Sequence, residues 1–289
     1  MKYTVKKIFV TFLGVSYFSL NVLNAQTITD SLVIVSAQWT IETPRKGLTC
    51  KYALIPQLYN GPQAISLIEI DPAANLKVGI AFSKMRKKTS EIASEHGAIA
   101  AINGSYFNMK RNNSVCFLKI DDQVIDTTTT REFQQRVTGA VYVHKGKVQL
   151  LSWNKQIEKK YKKKKGTILA SGPLLLRDGK VCDWSACTVS SIHTKHPRSV
   201  ICKTKKGTVM LVTVDGRFPT HAAGMNIQEL THLVRVLGGV DALNLDGGGS
   251  TTLWLDGFFN NGIVNHPSDN KRFDHMGERE VSNILYIYD

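Results

Sequence analysis

The apolar residues of this chain fall mainly into short segments that are rich in β-branched side chains. Segments of this length and composition are typical of β-strands. The pattern predicts strands over Leu32 to Val35, Ala64 to Ile70, Leu76 to Phe82, Ala98 to Ile102, Val137 to Val143, Lys147 to Leu151, Val209 to Val214, Leu253 to Leu255 and Ile284 to Tyr288. Strands therefore account for most of the predicted regular structure.

A helical period is clearest between Ile227 and Leu237, where apolar residues recur at a spacing of three or four. Asn226 is placed to cap this helix, and Glu229 takes the third helical position, as in a capping box. A shorter helix is predicted over Ser90 to His96, directly before a strand. Helices are thus fewer than strands.

The segment between Gln26 and Asp289 contains no linker rich in Pro, Ser or Gly and no repeat of constant period. The pattern therefore predicts one strand-rich domain of the α+β (mixed α/β) class, with a mixed sheet and a few flanking helices. Two predicted helix-to-strand units each end in a polar loop. We expect both loops to open on one cleft.

The first residues are typical of an export signal, with lysines preceding an apolar run from Ile8 to Leu20 and a small-residue cleavage point at Ala25. We predict a signal peptide over residues 1–25 and a mature domain over residues 26–289, in the periplasm or secreted. The apolar run is shorter than the ~20 residues that span a bilayer, so no stable membrane anchor is expected.

The chain is basic, with 37 Lys and Arg against 23 Asp and Glu and a formal net charge of +14. The lysine-rich run 159–165 is expected to form a solvated loop or hairpin tip. A positive surface attracts anionic ligands, and without any RNA- or DNA-reading motif these are expected to be phosphorylated or acidic glycans rather than nucleic acid.

The chain has 5 cysteines, an odd number for an exported protein. Cys182 and Cys187 are close enough in sequence to bridge a short loop, and isolated buried thiols explain the same spacing equally well. There is no CxxC motif to indicate a zinc or redox site.

The most informative stretch is 244–252, in which a carboxylate, Asp246, is followed by three glycines and three hydroxyl residues. The apolar residues before it predict a buried strand, which would deliver the carboxylate to a strand end. Glycines let backbone amides converge on a ligand oxygen, so the loop is predicted to bind an anion. Its candidate substrate-binding residues are Asn244, Gly247, Gly248, Gly249, Ser250 and Thr251.

Two further loops have a similar character. Asn103 and Gly104 follow the strand Ala98 to Ile102, and Tyr106 offers a ring on which a sugar could stack; a simple turn explains this stretch equally well. Ser171 and Gly172 precede a proline and form a weaker candidate of the same kind.

Charged candidates begin and end two predicted strands. Arg198 can present a two-pronged guanidinium to a phosphate. Asp215 and Arg217 follow the strand Val209 to Val214. Together with Asp246, Asp215 would give the cleft two carboxylates, one serving as acid and the other as base, although retaining and inverting chemistry both remain open.

Taken together, these motifs resemble the phosphodiester glycosidase family. The resemblance runs from about Trp39 to the C-terminus, and its most specific element is the loop that begins at Asp246. Ser105 stands where many relatives have a second glycine. The motifs are Ala101 to Phe107, Ser171 to Pro173, His196 to Arg198, Asp215 to Arg217, Gly224 to Met225 and Asn244 to Ser250.

The resemblance implies hydrolysis of a sugar-1-phosphodiester similar to that of N-acetylglucosamine. Arg198 and the amides of 247–249 would then hold the phosphate, and Asp215 and Asp246 would act at the anomeric carbon. Polar side chains would orient the sugar hydroxyls, namely Asn103, Ser250 and Thr251.

Two alternative functions stay open at this point. The chain could be a non-catalytic receptor for phosphorylated glycans, or a phosphodiesterase that cleaves at phosphorus. No metal site is assigned, although Asp215, Asp246 and Asn103 could ligate a divalent cation. No protein partner is implied.

Overall fold

The computed structural model describes residues 28–289, and the predicted signal peptide, 1–25, lies outside this range. The helices are α1 (28–35), α2 (Thr89–Glu95), α3 (Thr130–Gln135), α4 (Lys155–Tyr161), α5 (Val189–His193) and α6 (Ile227–Val236). The strands are β1 (Thr40–Arg45), β2 (Leu48–Leu58), β3 (Gly61–Ile70), β4 (Lys77–Lys88), β5 (Ala100–Asn103), β6 (Leu118–Ile120), β7 (Gln123–Asp126), β8 (Gly139–His144), β9 (Lys147–Ser152), β10 (Thr167–Ser171), β11 (Leu174–Arg177), β12 (Lys180–Val181), β13 (Arg198–Thr204), β14 (Val209–Val214), β15 (Gly239–Asn244), β16 (Leu253–Leu255) and β17 (Glu280–Tyr288).

The strands form three sheets. An eight-stranded sheet has the order β1-β2-β3-β14-β13-β15-β11-β12, a five-stranded sheet the order β7-β6-β10-β8-β9, and a four-stranded sheet the order β16-β5-β17-β4. Every strand pair within the described residues is antiparallel. The expectation of mixed strand directions is therefore wrong, because hairpins and return connections, not βαβ crossovers, join paired strands.

One hydrophobic core connects the three sheets. Leu211 of the eight-stranded sheet, Val141 of the five-stranded sheet and Leu285 of the four-stranded sheet belong to the same buried cluster. A shared core of this kind is the hallmark of a single domain. The predicted strand-rich α+β class is thus confirmed.

Most predicted elements are present with shifted ends, but two expectations differ from the structure. Leu32 to Val35 lies in helix α1 and is not a strand, because Ile34 is buried against the core while Ser31 bonds His232 of α6 at 2.9 Å. Part of the lysine-rich run 159–165 belongs to helix α4, whose first turn is capped by the Asn154 side chain.

Helix α6 follows its sequence signals closely. The Asn226 side chain accepts from the Glu229 amide at 2.9 Å, and Glu229 accepts from the Asn226 amide at 3.0 Å. Its apolar face is fully buried, which fixes the helix on the eight-stranded sheet.

All five cysteines are free thiols in the structure. Within residues 28–289, no helix combines the length and apolar character needed to cross a bilayer.

The capping box of α6 gives a direct test of this fold. Replacing Asn226 by Ala should lower the free energy of unfolding by about 1 kcal/mol, because the Glu229 amide loses its partner at the helix start. Urea unfolding followed by tryptophan fluorescence measures the change. The matched control, Gln228→Ala, alters an exposed residue in the same helical turn and should change the free energy by less than about 0.5 kcal/mol. An equal loss in both variants would contradict the capping role.

Candidate active site

A polar cleft of about 390 Å³ lies where β13, β15 and the chain before β11 meet. Its wall includes Asp246 with the first two glycines of the following loop, and Arg198 at the start of β13. The cleft also receives residues from α3 and from the chain around α5. Sequence segments far apart along the chain therefore share one surface.

Asp246 is held in place by hydrogen bonds through its backbone. Its amide donates to the Gly104 carbonyl at 2.9 Å, and its own carbonyl accepts from Asn103 Nδ2 at 2.7 Å. Its Oδ1 accepts from the Gly247 amide at 2.9 Å. The two predicted polar loops therefore meet at this carboxylate, as expected.

Burial raises the pKa of the Asp246 carboxyl above its usual value. The Ser250 hydroxyl, the positive charge of Arg136 and the Gly247 amide lower that pKa again, but by less than burial raises it. A carboxylate in this state accepts a proton more readily than an exposed one. Raised values of this kind are typical of carboxyl groups that act in catalysis.

Arg198 brings a buried positive charge to the cleft. Its side chain is 7% exposed, and it donates through Nε to the Met225 carbonyl at 2.9 Å and through Nη2 to the Thr194 carbonyl at 2.8 Å. Burial lowers the pKa of this guanidinium to about 10, so it is still charged at neutral pH. No ion pair among the described residues includes Arg198, and a bound anion would supply the missing counter-charge.

Arg217 also lines the cleft, where it lies next to Gly248. It has a left-handed backbone, with φ of +72°, and its Nη2 lies where a β-carbon on Gly248 would approach to 2.8 Å. Gly248 itself has φ of +63°. A side chain at residue 248 would therefore be strained by this backbone conformation, and the Arg217 guanidinium would have to move away from it.

Sequence reasoning missed the contribution of α3 and of the residue that follows it. Arg131 and Gln135 of the helix and Arg136 directly after it line the cleft. Arg136 stacks on the Tyr106 ring, 3.5 Å from its centroid, and binds Glu132 through two hydrogen bonds of 2.8 and 3.1 Å. The helix has no glycine and no apolar period. Thr129 and Glu132 fit a capping box, which predicts the start of the helix but gives no reason to place its arginines in a cleft.

The chain around α5 was also missed. Thr188, Ser190 and Ser191 line the cleft with hydroxyl groups, and the Thr188 amide donates to the Gln135 carbonyl at 3.0 Å. Such residues are common in any polar loop, so no sequence pattern distinguishes them.

Tyr106 lines the cleft, but Arg136 covers one face of its ring. Its hydroxyl donates to the Gly172 carbonyl at 2.6 Å, and Asn244 Nδ2 donates to the same carbonyl at 2.8 Å. A β-carbon on Gly172 would collide with the Arg136 carbonyl. Gly172 and Asn244 therefore support the cleft wall from behind. Because Arg136 covers one face of the Tyr106 ring, a sugar could stack on the other face only.

The triple glycine is not the amide cradle that the sequence predicts. The Gly247 amide bonds the Asp246 carboxylate, and the Gly248 amide donates to the Pro197 carbonyl at 2.9 Å. Gly249 is buried, and an added β-carbon there would collide with the Arg279 guanidinium. The amides of Gly247 and Gly248 are therefore already bonded within the protein. The arginines of the cleft supply the positive charge that faces a ligand.

Several predicted contact residues lie behind the cleft and do not line it. Asn103 is fully buried, and its Oδ1 accepts from the Ser199 hydroxyl at 2.6 Å and the Thr252 amide at 3.1 Å. Its role is to position Asp246. The other buried residues are Gly104, Ser171, Ser250 and Thr251.

Asp215 is likewise not a cleft residue. It is 1% exposed, and its carboxylate accepts from Asn265 Nδ2 at 2.8 Å, from the His266 amide at 3.1 Å and from His266 Nδ1 at 3.1 Å. The expected pairing of Asp215 with Asp246 as acid and base is not seen, because these contacts turn Asp215 into the protein.

The same contacts separate the three residues considered for a divalent cation. The oxygens of Asp215 and Asn103 are already engaged with other partners, away from the Asp246 carboxylate. Among residues 28–289, no three His, Cys, Asp or Glu side chains group together as a metal site.

The family model described as phosphodiester glycosidase matches residues 96–288, which is more than half of the chain. The chain belongs to the phosphodiester glycosidase family. The matched segment contains Tyr106, Arg136, Arg198, Arg217 and Asp246, so it includes the charged wall of the cleft.

Curated relatives of this chain match over shorter segments. The SPbeta prophage-derived protein YomE of Bacillus subtilis is 27% identical over 180 residues, covering 62% of this chain and 27% of that protein. The N-acetylglucosamine-1-phosphodiester alpha-N-acetylglucosaminidases of mouse and human are 30% and 33% identical over 100 and 94 residues. These segments cover 34% and 32% of this chain, and 18% and 17% of the two enzymes.

Solved structures show the same fold. The catalytic domain of the zebrafish N-acetylglucosamine-1-phosphodiester alpha-N-acetylglucosaminidase superposes with a TM-score of 0.65 at 16% identity, covering 90% of this chain and 93% of that domain. A hypothetical protein from Synechocystis superposes with a TM-score of 0.64 at 14% identity, covering 87% of this chain and 64% of that one.

The raised pKa of Asp246 predicts a gain in stability when the charge is removed. The folded protein holds this proton more tightly than the unfolded chain, whose Asp pKa is about 3.9, so the free energy of unfolding falls as pH rises from that value through the raised folded pKa. The Asp246→Asn variant should therefore have a higher melting temperature than the wild type at pH 7. The difference should shrink below about pH 4, where the wild-type carboxyl is protonated.

Calorimetry at both pH values measures this effect. The control is Asp256→Asn, which removes an exposed carboxylate and should leave the melting temperature nearly unchanged at either pH. A lower melting temperature for Asp246→Asn at pH 7 would show that the carboxylate is not destabilised by its surroundings.

Proposed function

We propose that this chain is an exported phosphodiester glycosidase, acting in the periplasm or after secretion, that hydrolyses the bond between a sugar and the phosphate on its anomeric carbon. The observation that carries the proposal is the composition of the cleft. Four arginines surround one carboxylate of raised pKa, Asp246. The arginines are Arg131, Arg136, Arg198 and Arg217.

The arginines match a phosphodiester in charge and geometry. Guanidinium groups form paired hydrogen bonds to phosphate oxygens, and buried ones such as Arg198 are weakly screened by solvent. Arg198 and Arg217 line the cleft with the Asp246 loop, so the phosphate group next to the scissile bond binds there. The hydroxyls of Thr188 and its neighbours offer hydrogen bonds to sugar oxygens.

A single carboxylate in the described cleft is enough for this reaction. An ordinary glycosidase uses a second carboxyl group to protonate the departing alkoxide. Here the departing group is a phosphate monoester, whose charge Arg198 and Arg217 stabilise as the bond breaks. Asp246 then accepts the proton of the attacking water: a bond forms between water oxygen and the anomeric carbon, and phosphate leaves with the electron pair of the broken bond.

N-acetylglucosamine is the sugar that we propose. The mouse and human relatives are named for action on N-acetylglucosamine-1-phosphodiesters. The similarity covers a small part of the length of these enzymes. N-acetylglucosamine is therefore the first sugar to test.

Hydrolysis in labelled water tests the proposed reaction against its rivals. The substrate is the methyl ester of N-acetylglucosamine 1-phosphate, and the solvent is water enriched in oxygen-18. We expect free sugar that carries the label and unlabelled methyl phosphate. Label in the phosphate product would instead indicate a phosphodiesterase, and tight binding of the ester without turnover would indicate a receptor.

Asp246→Asn should reduce turnover of this ester by at least about a hundredfold, because the amide cannot accept a proton from water. Substrate affinity should change much less, since the arginines remain. Steady-state kinetics separate the two effects, with Asp256→Asn as the charge-matched control outside the cleft. Near-normal turnover in Asp246→Asn would remove this carboxylate from the mechanism.

A further inference from the structure

A second hollow lies beside the active-site cleft, on the other side of α3. It has a volume of about 500 Å³. Helix α3 contributes to both hollows, with Arg131 lining the cleft and Phe133 lining the second hollow. The chain before α5 does the same, since Thr188 lines the cleft and Ala186 the second hollow. The two hollows are thus neighbours that share two walls.

Helix α4 forms the far wall of the second hollow and makes it basic. Lys155, Lys159 and Lys162 all line it. They are spaced by four and then three residues, which places them on one face of the helix and its final turn. We call this hollow the lysine groove, defined by these three lysines together with Phe133 and Val137.

The lysines have no partner that would neutralise them. All three are exposed, and none of the ion pairs in the described chain includes them. Like charges four residues apart destabilise a helix. A bound anion in the groove would offset this repulsion. A helix with a purely structural role gains nothing from three lysines on one face.

The one carboxylate in the lysine groove is already engaged. Glu158 is 6% exposed, and it accepts from Trp153 Nε1 at 3.2 Å and from the Thr128 amide at 3.3 Å. Its charge is therefore turned toward the protein. The groove presents a net positive surface to a ligand.

The groove also has an apolar side, where Phe133 is half-buried and the buried residues Val137 and Trp153 complete the wall. A mixture of ring or aliphatic surface with a few charged groups suits a ligand that combines sugar rings with anionic groups. The cleft on the other side of α3 is also positively charged, since four arginines line it. A helix is about 10 Å across, so a chain of a few sugar–phosphate units can reach from one hollow to the other.

We propose that the lysine groove binds additional repeat units of a polymeric substrate, in which sugars are joined by phosphodiesters, while one terminal bond lies at Asp246. This inference rests on the proposed glycosidase function. It identifies the substrate as a polyanionic glycan and not an isolated sugar phosphodiester.

The test compares two probes. One is the methyl ester of N-acetylglucosamine 1-phosphate, which has a single phosphodiester. The other is an oligomer of several N-acetylglucosamine units joined through phosphodiesters. The groove variant changes three residues to glutamine, Lys155→Gln, Lys159→Gln and Lys162→Gln. It should bind the oligomer about tenfold more weakly than the wild type in low salt, because three lysine–phosphate contacts are lost.

A control variant removes the same charge elsewhere. Its three lysines are exposed: Lys180 begins β12, and Lys205 and Lys206 follow the end of β13 opposite Arg198. It therefore keeps the net charge of the groove variant. The changes are Lys180→Gln, Lys205→Gln and Lys206→Gln. The control should bind the oligomer like the wild type, and both variants should turn over the single ester at the wild-type rate.

Binding is measured by calorimetry on each variant in an Asp246→Asn background, so that the oligomer stays intact. Unchanged oligomer affinity in the groove variant overturns the proposal, and so does an equal loss in the control. Failure of the wild type to release sugar from the single ester refutes the glycosidase function, whereas the binding comparison still reports on the groove. Melting temperatures equal to that of the wild type establish that each variant is folded.

Discussion

The position of the Asp246 carboxylate depends on a small set of hydrogen bonds around one buried amide, that of Asn103. Its nitrogen donates to the Asp246 carbonyl, and its oxygen accepts from Ser199 and Thr252. A fully buried amide costs free energy unless its donors and acceptors find partners, and this one finds three. The bonds join the end of β5 in one sheet to the end of β15 and the start of β13 in another. The cleft is therefore shaped where two sheets meet, and any loss of this junction would displace the carboxylate relative to Arg198.

The charges of the cleft follow from the same construction. Asp246 loses solvent on one side, and its raised pKa records that cost. Arg198 loses solvent too and satisfies two of its donors with backbone carbonyls instead of a carboxylate. Using carbonyls fixes the orientation of the guanidinium without cancelling its charge. The site thus holds its positive charge uncompensated in the free protein, which costs stability and makes it available to an anion.

The sequence predicts the parts of this structure that depend on local patterns. Strand β14 and the capping box of α6 appear where the apolar period and the cap residues place them. The Asp246 loop was found because a carboxylate and three glycines are unusual together. The predicted ligand-binding task of its glycines is wrong for Gly247, where the Pro197 carbonyl leaves no room for a β-carbon.

The direction in which a side chain points could not be predicted from local sequence patterns. Asp215 and Arg217 are two residues apart at the end of one strand, yet Arg217 lines the cleft and Asp215 binds His266 inside the protein. The left-handed backbone at Arg217 breaks the strand alternation that would otherwise place both side chains on one face. For helix α3, no neighbouring residue in the sequence marks its arginine as part of a site. Its role is visible only in the structure, where it lines the same cleft as Asp246.

The first strands show why the fold extends beyond the segment that the family model matches. That segment begins at residue 96, after β1 to β4. Yet β3 pairs with β14 along six positions, and the Asp215 amide donates to the Ala64 carbonyl just beyond them. Strand β4 pairs with β17 over most of its length, and β17 in turn holds β5. The preceding part of the chain therefore covers the outer edges of β14 and β17, the two strands that pair with β13 and β5. The zebrafish domain superposes on 90% of this chain, which agrees with a structural unit larger than the recognisable sequence.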